Sequence, residues 1–478
     1  MEEQRAYGQH EAFRDSIQLV DKKGNRNWIF PRKPYGSLYK YRTWFSWALL
    51  LILFGLPYIK HKCFPLFLLN VLERKFILFG IPFWPQDMPL FALLMITFVV
   101  FIIVFTVLFG RVFCGWACPQ TVFMEMVFRK IEYWIEGDFK QQIKLNDAPW
   151  NATKIFKKAG KHTLFFVVSF AIANTFLAYL ISADELLKLV NDGPLAHKGT
   201  FIALVLFTGV FYAVFAYIRE IVCVVICPYG RLQGLMLDQN SIVVAYDTVR
   251  GEPRGFKKKN STEQLGDCID CHRCVQVCPT GIDIRNGTQL ECINCTACID
   301  ECDYVMTKIS KPIGLIRYAS KNEIQNGRKN PFTLRSIAYM GLLFFLSALL
   351  IFFMATRKDI HITFLRTPGM TFMKPDSIHI ANLYNFDVIN KTFDAQNISV
   401  RVVDPAYAII ALIDGSDPKN MTLLPDGIIK HTCMIKLPKD KIIINNNKLI
   451  LEVKSNDEII MLKTNFVAPV QNIKAKIE

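Results

Sequence analysis

Charge is scarce in this sequence. Only 20% of its 478 residues are Asp, Glu, Lys or Arg, while 52% are hydrophobic and 38 are Phe. That balance excludes a disordered chain, and the positive mean hydropathy is too high for an ordinary soluble enzyme. Acidic residues are the scarcer kind, 41 against 56 basic, for a net charge of +15. No stretch interleaves basic with aromatic residues on a soluble face, which sets nucleic acid aside as a partner. No dinucleotide fingerprint occurs, so a flavodoxin, a ferredoxin or a reductase is expected to supply any electrons. The first 40 residues lack an apolar core segment, so no cleavable signal peptide is expected there. Cysteine outside motifs is nearly absent: of 14, only Cys63 and Cys433 stand alone, which rules out a disulfide scaffold.

What the chain has in abundance is long uncharged runs. Residues 88–110, 163–182, 200–218 and 336–356 each reach bilayer-spanning length, and 43–59 does so with Arg42 and Lys60 snorkelling at its ends. About five spans are therefore expected, in contact with membrane lipid. Lys and Arg are concentrated in the arm before the first span (nine) and in 111–162 (nine), against four in 60–87 and two in 183–199. By the positive-inside rule the arm 1–42, the loop 111–162 and the segment 219–335 face the cytoplasm, and the C-terminal region lies outside a bacterial inner membrane. Residues 64–84 are apolar but broken by Glu73, Arg74, Lys75 and two prolines, and are read as an interfacial or re-entrant helix on the outer side.

The expected organisation is a cytoplasmic arm (1–42), a membrane domain (43–240), a cytoplasmic cysteine-rich domain with linkers (241–335), a last span (336–356) and an outer domain (357–478). Within the membrane domain two span ends read alike. Cys114-x3-Cys118-Pro119 and Cys223-x3-Cys227-Pro228 each precede an amphipathic helix, over 120–137 and 229–240. The spacing predicts both sulfurs of a pair on one helix face, with Pro ending or bending that helix. Four soft sulfurs at equal depth suit Cu(I), Zn or an iron–sulfur centre; packing between helices is the plainer alternative.

Residues 268–302 carry the most specific signal. Cys268-x2-Cys271-x2-Cys274-x3-Cys278-Pro279 is followed by Cys292-x2-Cys295-x2-Cys298-x3-Cys302. This is the bacterial ferredoxin run, twice, in which three close cysteines serve one cluster and the fourth serves the other. Two 4Fe–4S clusters are expected in an α+β ferredoxin-like domain. Cys268, Cys271, Cys274 and Cys302 would hold one, and Cys292, Cys295, Cys298 and Cys278 the second. Asp267, Asp270, Asp300, Glu301 and Asp303 crowd these ligands, and their negative charge predicts low potentials. His272 is given no role. Lys257, Lys258 and Lys259 read as a solvated face near anionic lipid.

Beyond 357 alternating runs recur at 398–403, 408–413, 430–437, 441–444, 448–454 and 458–465, separated by turn residues. Short strands at this spacing predict an all-β, immunoglobulin-like sandwich with no disulfide of its own, since Cys433 is alone in it.

With these pieces in order the chain resembles the cytochrome c oxidase accessory protein family (FixG, CcoG and RdxA-like). The stretches that carry the likeness are Ile29-Phe30-Pro31-Arg32, Phe83-Trp84-Pro85-Gln86-Asp87, residues 110–137, Cys227-Pro228-Tyr229-Gly230-Arg231 and residues 268–303. The resemblance implies a role in assembling a cbb(3)-type haem–copper oxidase. It also implies an oxidoreductase activity, reduction of Cu(II) to Cu(I) before hand-over to a copper-exporting P-type ATPase and the oxidase. Cys114, Cys118, Cys223 and Cys227 match the family's paired motifs and are the candidate copper or redox residues. Two other functions compete: a quinol-linked respiratory conduit, for which no buried mid-span His or charge is visible, and a non-enzymatic assembly scaffold. His162 and His197 sit at span ends, where an interfacial role is expected.

Overall fold

The computed structural model describes residues 26–62, 64–71, 75–256, 264–327, 332–442, 446–455 and 458–469. Cys63, Glu73, Arg74 and the Lys257, Lys258, Lys259 run fall outside these. The chain divides into two compact units, Met1–Tyr58 with Leu90–Ile351, and Ile59–Pro89 with Phe352–Glu478.

Four helices among the described residues are long and apolar enough to cross a membrane: Pro85–Phe109, Ala152–Ile181, Lys198–Ile218 and Leu334–Ala355. They match four of the expected spans. The first expected span lies on helix Ser37–Gly55, which is not among the four; Lys40 and Arg42 load its first turns, and it runs into the 3₁₀ turn Leu56–Tyr58. Ala152–Ile181 begins earlier than its uncharged core predicts, because the Asn151 side chain caps it by accepting from Lys154 N at 2.8 Å.

In the first unit, aromatic side chains knit the apolar helices. Phe128 stacks on Phe215 with centroids 4.4 Å apart and meets Phe165 edge-on at 4.8 Å. The amphipathic helices predicted after each Cys-Pro are present: Pro119–Val122, a π-helical stretch Phe123–Phe128 and Arg129–Ile135 in the first repeat, and Pro228–Met236 in the second. The cysteine-rich segment has the expected α+β character. Strand Val243–Tyr246 pairs antiparallel with Ile316–Ala319, and helix Ala297–Lys308 packs against that ribbon. Its core joins Val244, Ile282, Ile299 and Ile316 with Cys268 and Cys274.

The second unit is a sandwich of two four-stranded antiparallel sheets. One runs Met421–Leu423, Gln396–Asp404, Asn446–Lys454, Ile459–Val467; the other runs Ile409–Leu412, Ile428–Pro438, His379–Asn390, Ile360–Arg366. Alternation placed the runs 398–403, 408–413, 430–437, 448–454 and 458–465 on strands; of the predicted run 441–444, Lys441 ends a 3₁₀ turn and 443–444 lie outside the described residues. It missed Ile360–Arg366, Met421–Leu423 and the central His379–Asn390, whose pattern is broken by buried Asn382 and Asn390. Cys433 is fully buried in this core.

One expectation is corrected here. Residues 64–84 are not an interfacial helix but short antiparallel strands, with Leu68–Asn70, Lys75–Leu78 and Ile81–Phe83 in one sheet. Phe79 and Gly80 at φ +52° and +76° turn the second hairpin. The segment belongs with the sandwich rather than the membrane helices. Phe64 stacks on Phe393 at 4.6 Å, Trp84 Nε1 donates to Asp426 Oδ1 at 3.1 Å, and buried Asp87 accepts from Lys391 and Arg357 at 2.5 and 2.8 Å.

Candidate redox site

The two Cys-x3-Cys-Pro motifs share a backbone path. Gly110 and Arg219, each four residues before the first cysteine, have φ of +58° and +54°. A left-handed Arg is strained, and its side chain is held by two hydrogen bonds to Glu132, at 2.8 and 2.7 Å. Short helices Val112–Trp116 and Val222–Ile226 then carry Cys114 and Cys223. The second cysteines do not continue those helices, as an i,i+4 pair on one face would. Cys118 (φ −62°, ψ 125°) and Cys227 (φ −70°, ψ 109°) are extended links, and Pro119 and Pro228 open the next helix. Proline, lacking an N–H, suits a first helical position better than an interior one, so it starts a helix here as well as ending one.

The motifs converge. Cys114 lies within electrostatic reach of Cys118 and Cys227, and Cys223 within reach of the other three. Burial pushes the Cys114 thiol up to about 11 and that of Cys223 to about 12. Among the described residues no three His, Cys, Asp or Glu side chains close on a point that one metal ion could fill. The four sulfurs are gathered, not assembled into a cage. Cys114 Sγ donates to Gln233 Oε1 at 2.9 Å, and the fully buried Gln233 donates in turn to Thr106 Oγ1 at 3.2 Å.

The ferredoxin-type cysteines surround two cavities. One is lined by Cys268, Cys271, Cys274 and Cys302. The other is lined by Cys278, Cys292, Cys295 and Cys298, with Cys274 on its shared edge. The cavities thus divide the eight cysteines along the crossed grouping, with Cys274 lining both. Sulfurs spread around a volume suit a multi-atom cluster and not a single zinc. The loops are cut to the same pattern: Asp270 and His272 flank Cys271 at φ +55° and +54°, and Asn294 and Thr296 flank Cys295 at +54° and +67°. Main-chain N–H groups of Thr280, Gly281 and Ile282 turn toward Cys278, and those of Asn294 and Ala297 toward Cys292 and Cys295. Such donors stabilise the negative charge of a thiolate-bound cluster. The donor set and the cavities fit two 4Fe–4S groups.

The helix that carries Cys114 packs on the loop lining the second cavity. A Cβ on Gly115 would lie 2.3 Å from Ile293 O and 2.9 Å from Asn294 O, so this helix touches the loop between Cys292 and Cys295. Cys114, Ile293, Cys295 and Ala297 share one buried apolar cluster.

Each of the five acidic residues near the ligands has a partner. Asp267 pairs with Arg250 and Lys311 at 2.5 and 3.1 Å, Glu301 with Arg273 at 2.7 Å, and Asp270 with Arg285. Asp303 accepts from Gly314 N at 2.8 Å. Asp300 caps a helix remote in sequence, accepting from Leu38 N and Tyr39 N at 3.2 and 2.8 Å. Asp267, Asp270 and Glu301 are thus charge-paired, whereas Asp300 and Asp303 are held by main-chain N–H groups. Asp300→Ala should weaken the docking of helix Ser37–Gly55 by about 1–2 kcal/mol, read as earlier thermal unfolding of purified protein with the 4Fe–4S content unchanged. His272, half exposed, meets Arg285 Nη2 at 2.9 Å through Nδ1. His162 Nδ1 lies 2.8 Å from Tyr212 OH, and His197 Nε2 lies 3.3 Å from Asp192.

Long-range partners escaped the sequence reading. Arg42 and Arg111 are buried beside the second cavity. A buried charge network also ties the repeats together: Glu132 to Arg219, and Arg129 to Glu125 at 3.1 Å and to Glu220. Charge inside otherwise apolar helices was the available signal, but not who pairs with whom.

Apolar helices of membrane length joined to cysteine-lined cavities define a membrane-bound iron–sulfur protein of electron transfer. The comparisons agree. Family models described as "4Fe-4S binding domain", "4Fe-4S dicluster domain" and "IG-like fold at C-terminal of FixG" match residues 91–140, 218–321 and 350–469. RdxB of Cereibacter sphaeroides is 35% identical over 402 residues, covering 80% of this chain and 83% of its own. The nitrogen fixation protein FixG of Rhizobium meliloti is 36% identical over 315 residues, 62% of this chain; the match spans 58% of the Rhizobium protein's length. The chain belongs to the FixG, RdxA and RdxB family. A crystal structure of a FixG-related protein from Vibrio parahaemolyticus aligns over 24% of the chain and all of its own, at 14% identity and a TM-score of 0.22.

Proposed function

We propose that the chain takes single electrons from a cytoplasmic carrier and delivers them to Cu(II) at the paired thiols, forming Cu(I) for assembly of a cbb(3)-type oxidase. The contact of Gly115 with the Ile293–Asn294 backbone carries this reading, because it puts Cys114 against the second cavity with no intervening layer. Cys268, Cys271, Cys274 and Cys302 hold one 4Fe–4S cluster, and Cys278, Cys292, Cys295 and Cys298 the other. Bound there, such clusters supply one-electron transfer. Exposed Cys271 marks the entry side, while buried Cys274 and Cys295 keep water from the path between. Cys114, Cys118, Cys223 and Cys227 receive copper as substrate; each Cu(II) gains one electron, and soft sulfur favours the Cu(I) product. A copper-exporting P-type ATPase and the oxidase are the proposed recipients.

The cysteine-rich domain is assigned to the cytoplasm and the sandwich to the periplasm of a bacterial inner membrane, on the Lys and Arg bias. Helix Ser37–Gly55 counts as a fifth crossing in this reading. Its N-terminal end is capped from the cysteine-rich segment, whereas Ile59–Pro89 packs in the unit that holds the sandwich.

Reduced protein, handled without oxygen, should be reoxidised by added Cu(II). Cys114→Ser with Cys118→Ser should remove that response with iron content intact; full retention would take these residues out of the reaction. A quinol-linked conduit is the second reading, favoured by one observation. A mostly apolar recess of about 200 Å³ lies among Phe170, Leu177, Leu186, Phe201 and Leu204, with Asn174 and His197 on its wall, a lining of the kind a quinone head needs. Reoxidation by a soluble quinone analogue and not by Cu(II) would select it.

A further inference from the structure

Two buried arginines near the second cavity lack counter-charges. Arg42 is 2% exposed and Arg111 is 3% exposed. Arg42 Nε donates to Gly115 O at 2.7 Å, and its Nη2 has no partner. Arg111 donates to Gln233 Oε1 at 3.2 Å and to Leu290 O. All these acceptors are neutral, and neither guanidinium forms a salt bridge among the described residues. An uncompensated buried cation costs several kcal/mol, so such a pair points to an anion between them. Both reach the loop that lines the second cavity: Arg111 donates to Leu290 O, two residues before Cys292, and Arg42 to the carbonyl of Gly115, which abuts Ile293 and Asn294; the one carboxylate that also faces Cys295, Glu125, is paired with Arg129 at 3.1 Å. The cations at the first cavity are already neutralised, Arg285 by Asp283 and Asp270, and Arg273 by Glu301.

Net charge is among the levers that set the potential of an iron–sulfur centre. We propose that Arg42 and Arg111 are the counter-charges of the cluster held by Cys278, Cys292, Cys295 and Cys298. They raise its potential above that of the cluster held by Cys268, Cys271, Cys274 and Cys302. Electrons entering beside Cys271 then run downhill toward Cys114. Each transfer takes one electron from the first site and adds one to the second; no bond forms or breaks. Solvent at exposed Cys271 acts the other way, but water screens charge there, while two buried guanidiniums are screened far less. This inference rests on the two-cluster reading and is independent of copper.

The test uses full-length protein purified in detergent without oxygen. Iron and acid-labile sulfide are measured first, so an empty preparation counts against the two-cluster reading and not against the arginines. Potentiometric titration followed by electron paramagnetic resonance resolves two couples, assigned with the ligand swaps Cys271→Ser and Cys295→Ser. In the unaltered protein the Cys271-side couple should be the lower. Arg111→Gln should lower only the Cys295-side couple, by at least tenfold in its reduction equilibrium, about 59 mV for a one-electron step, and Arg111→Lys should restore it. Arg42→Gln should lower the same couple, and Arg273→Gln should leave it in place. If Arg111→Gln fails to load iron, the order in the unaltered protein and Arg42→Gln decide. A reversed order overturns the proposal, as does an Arg42→Gln or Arg111→Gln variant that moves neither couple or both equally.

Discussion

Gly115→Val is expected to slow electron delivery from the clusters to the paired thiols on the order of 100-fold, the loss that misplacing reacting groups by about 1 Å produces. The position leaves no room: a Cβ would stand 2.3 Å from Ile293 O and 2.9 Å from Asn294 O. Both obstacles are backbone, on the loop that links Cys292 to Cys295, so they cannot swing aside as a flexible side chain would. The helix carrying Cys114 must lift off instead, and its bond from Arg42 to Gly115 O goes with it. Iron content should stay near that of the unaltered protein, because Gly115 is not a ligand. Stopped-flow reoxidation of reduced protein by Cu(II) reads the rate. An unchanged rate in the Val variant would show that electrons leave by another face.

The second large effect concerns the charge network. Glu132 is almost fully buried and accepts two hydrogen bonds from Arg219 at 2.8 and 2.7 Å, with Lys161 3.6 Å away. Burial alone would push its carboxyl up, but Arg219, helped by Lys161 and Arg129, holds it down at about 2. A carboxylate whose pKa falls on folding stabilises the fold in full above its unfolded value of 4.5. That contribution, about 3 kcal/mol for a shift of this size, fades as pH falls toward about 2. Stability due to this contact should therefore be flat from pH 7 to about pH 5 and decline only in stronger acid. Glu132→Gln leaves buried Arg219 with only the more distant carboxylate of Glu220, 3.6 Å away, and should remove about 3 kcal/mol. Thermal or denaturant unfolding in detergent measures it. Because Arg219 holds its left-handed backbone beside the second thiol pair, the same variant should also blunt the Cu(II) response. A loss below about 1 kcal/mol would place this pair with ordinary surface ion pairs.

Local spacing made much of this molecule legible. The cysteine triplets of the x2-x2-x3 rhythm lie around two cavities along the grouping read from their spacing, with Cys274 lining both. Uncharged length foretold four helices long and apolar enough to cross a membrane, and period-two alternation foretold most of the sandwich strands after residue 396, though not Met421–Leu423. The rest depended on partners remote in the chain. Residues 64–84 look like a broken interfacial helix until the Phe79-Gly80 turn folds them into hairpins tied to Asp426, Lys391 and Phe393. Asp300 reads as one more negative charge beside a ligand until Leu38 and Tyr39, some 260 residues earlier, take it as their cap. Arg42 and Arg111 look like positive-inside markers at span ends, and only their burial shows that they lean on a cavity. The Cys-x3-Cys pairs were found by motif, yet their shape was misjudged, since Cys118 and Cys227 link two helices and do not share one.

The most direct measurement counts electrons. Protein reduced under anaerobic conditions, cleared of excess reductant, is mixed with Cu(II) and a Cu(I)-specific chelator. The Cu(I) formed should equal the electrons lost from the iron–sulfur signals, one for one, and should vanish when Cys114 and Cys118 are serine. Intact, reduced clusters that stay reduced in the presence of Cu(II) would contradict it.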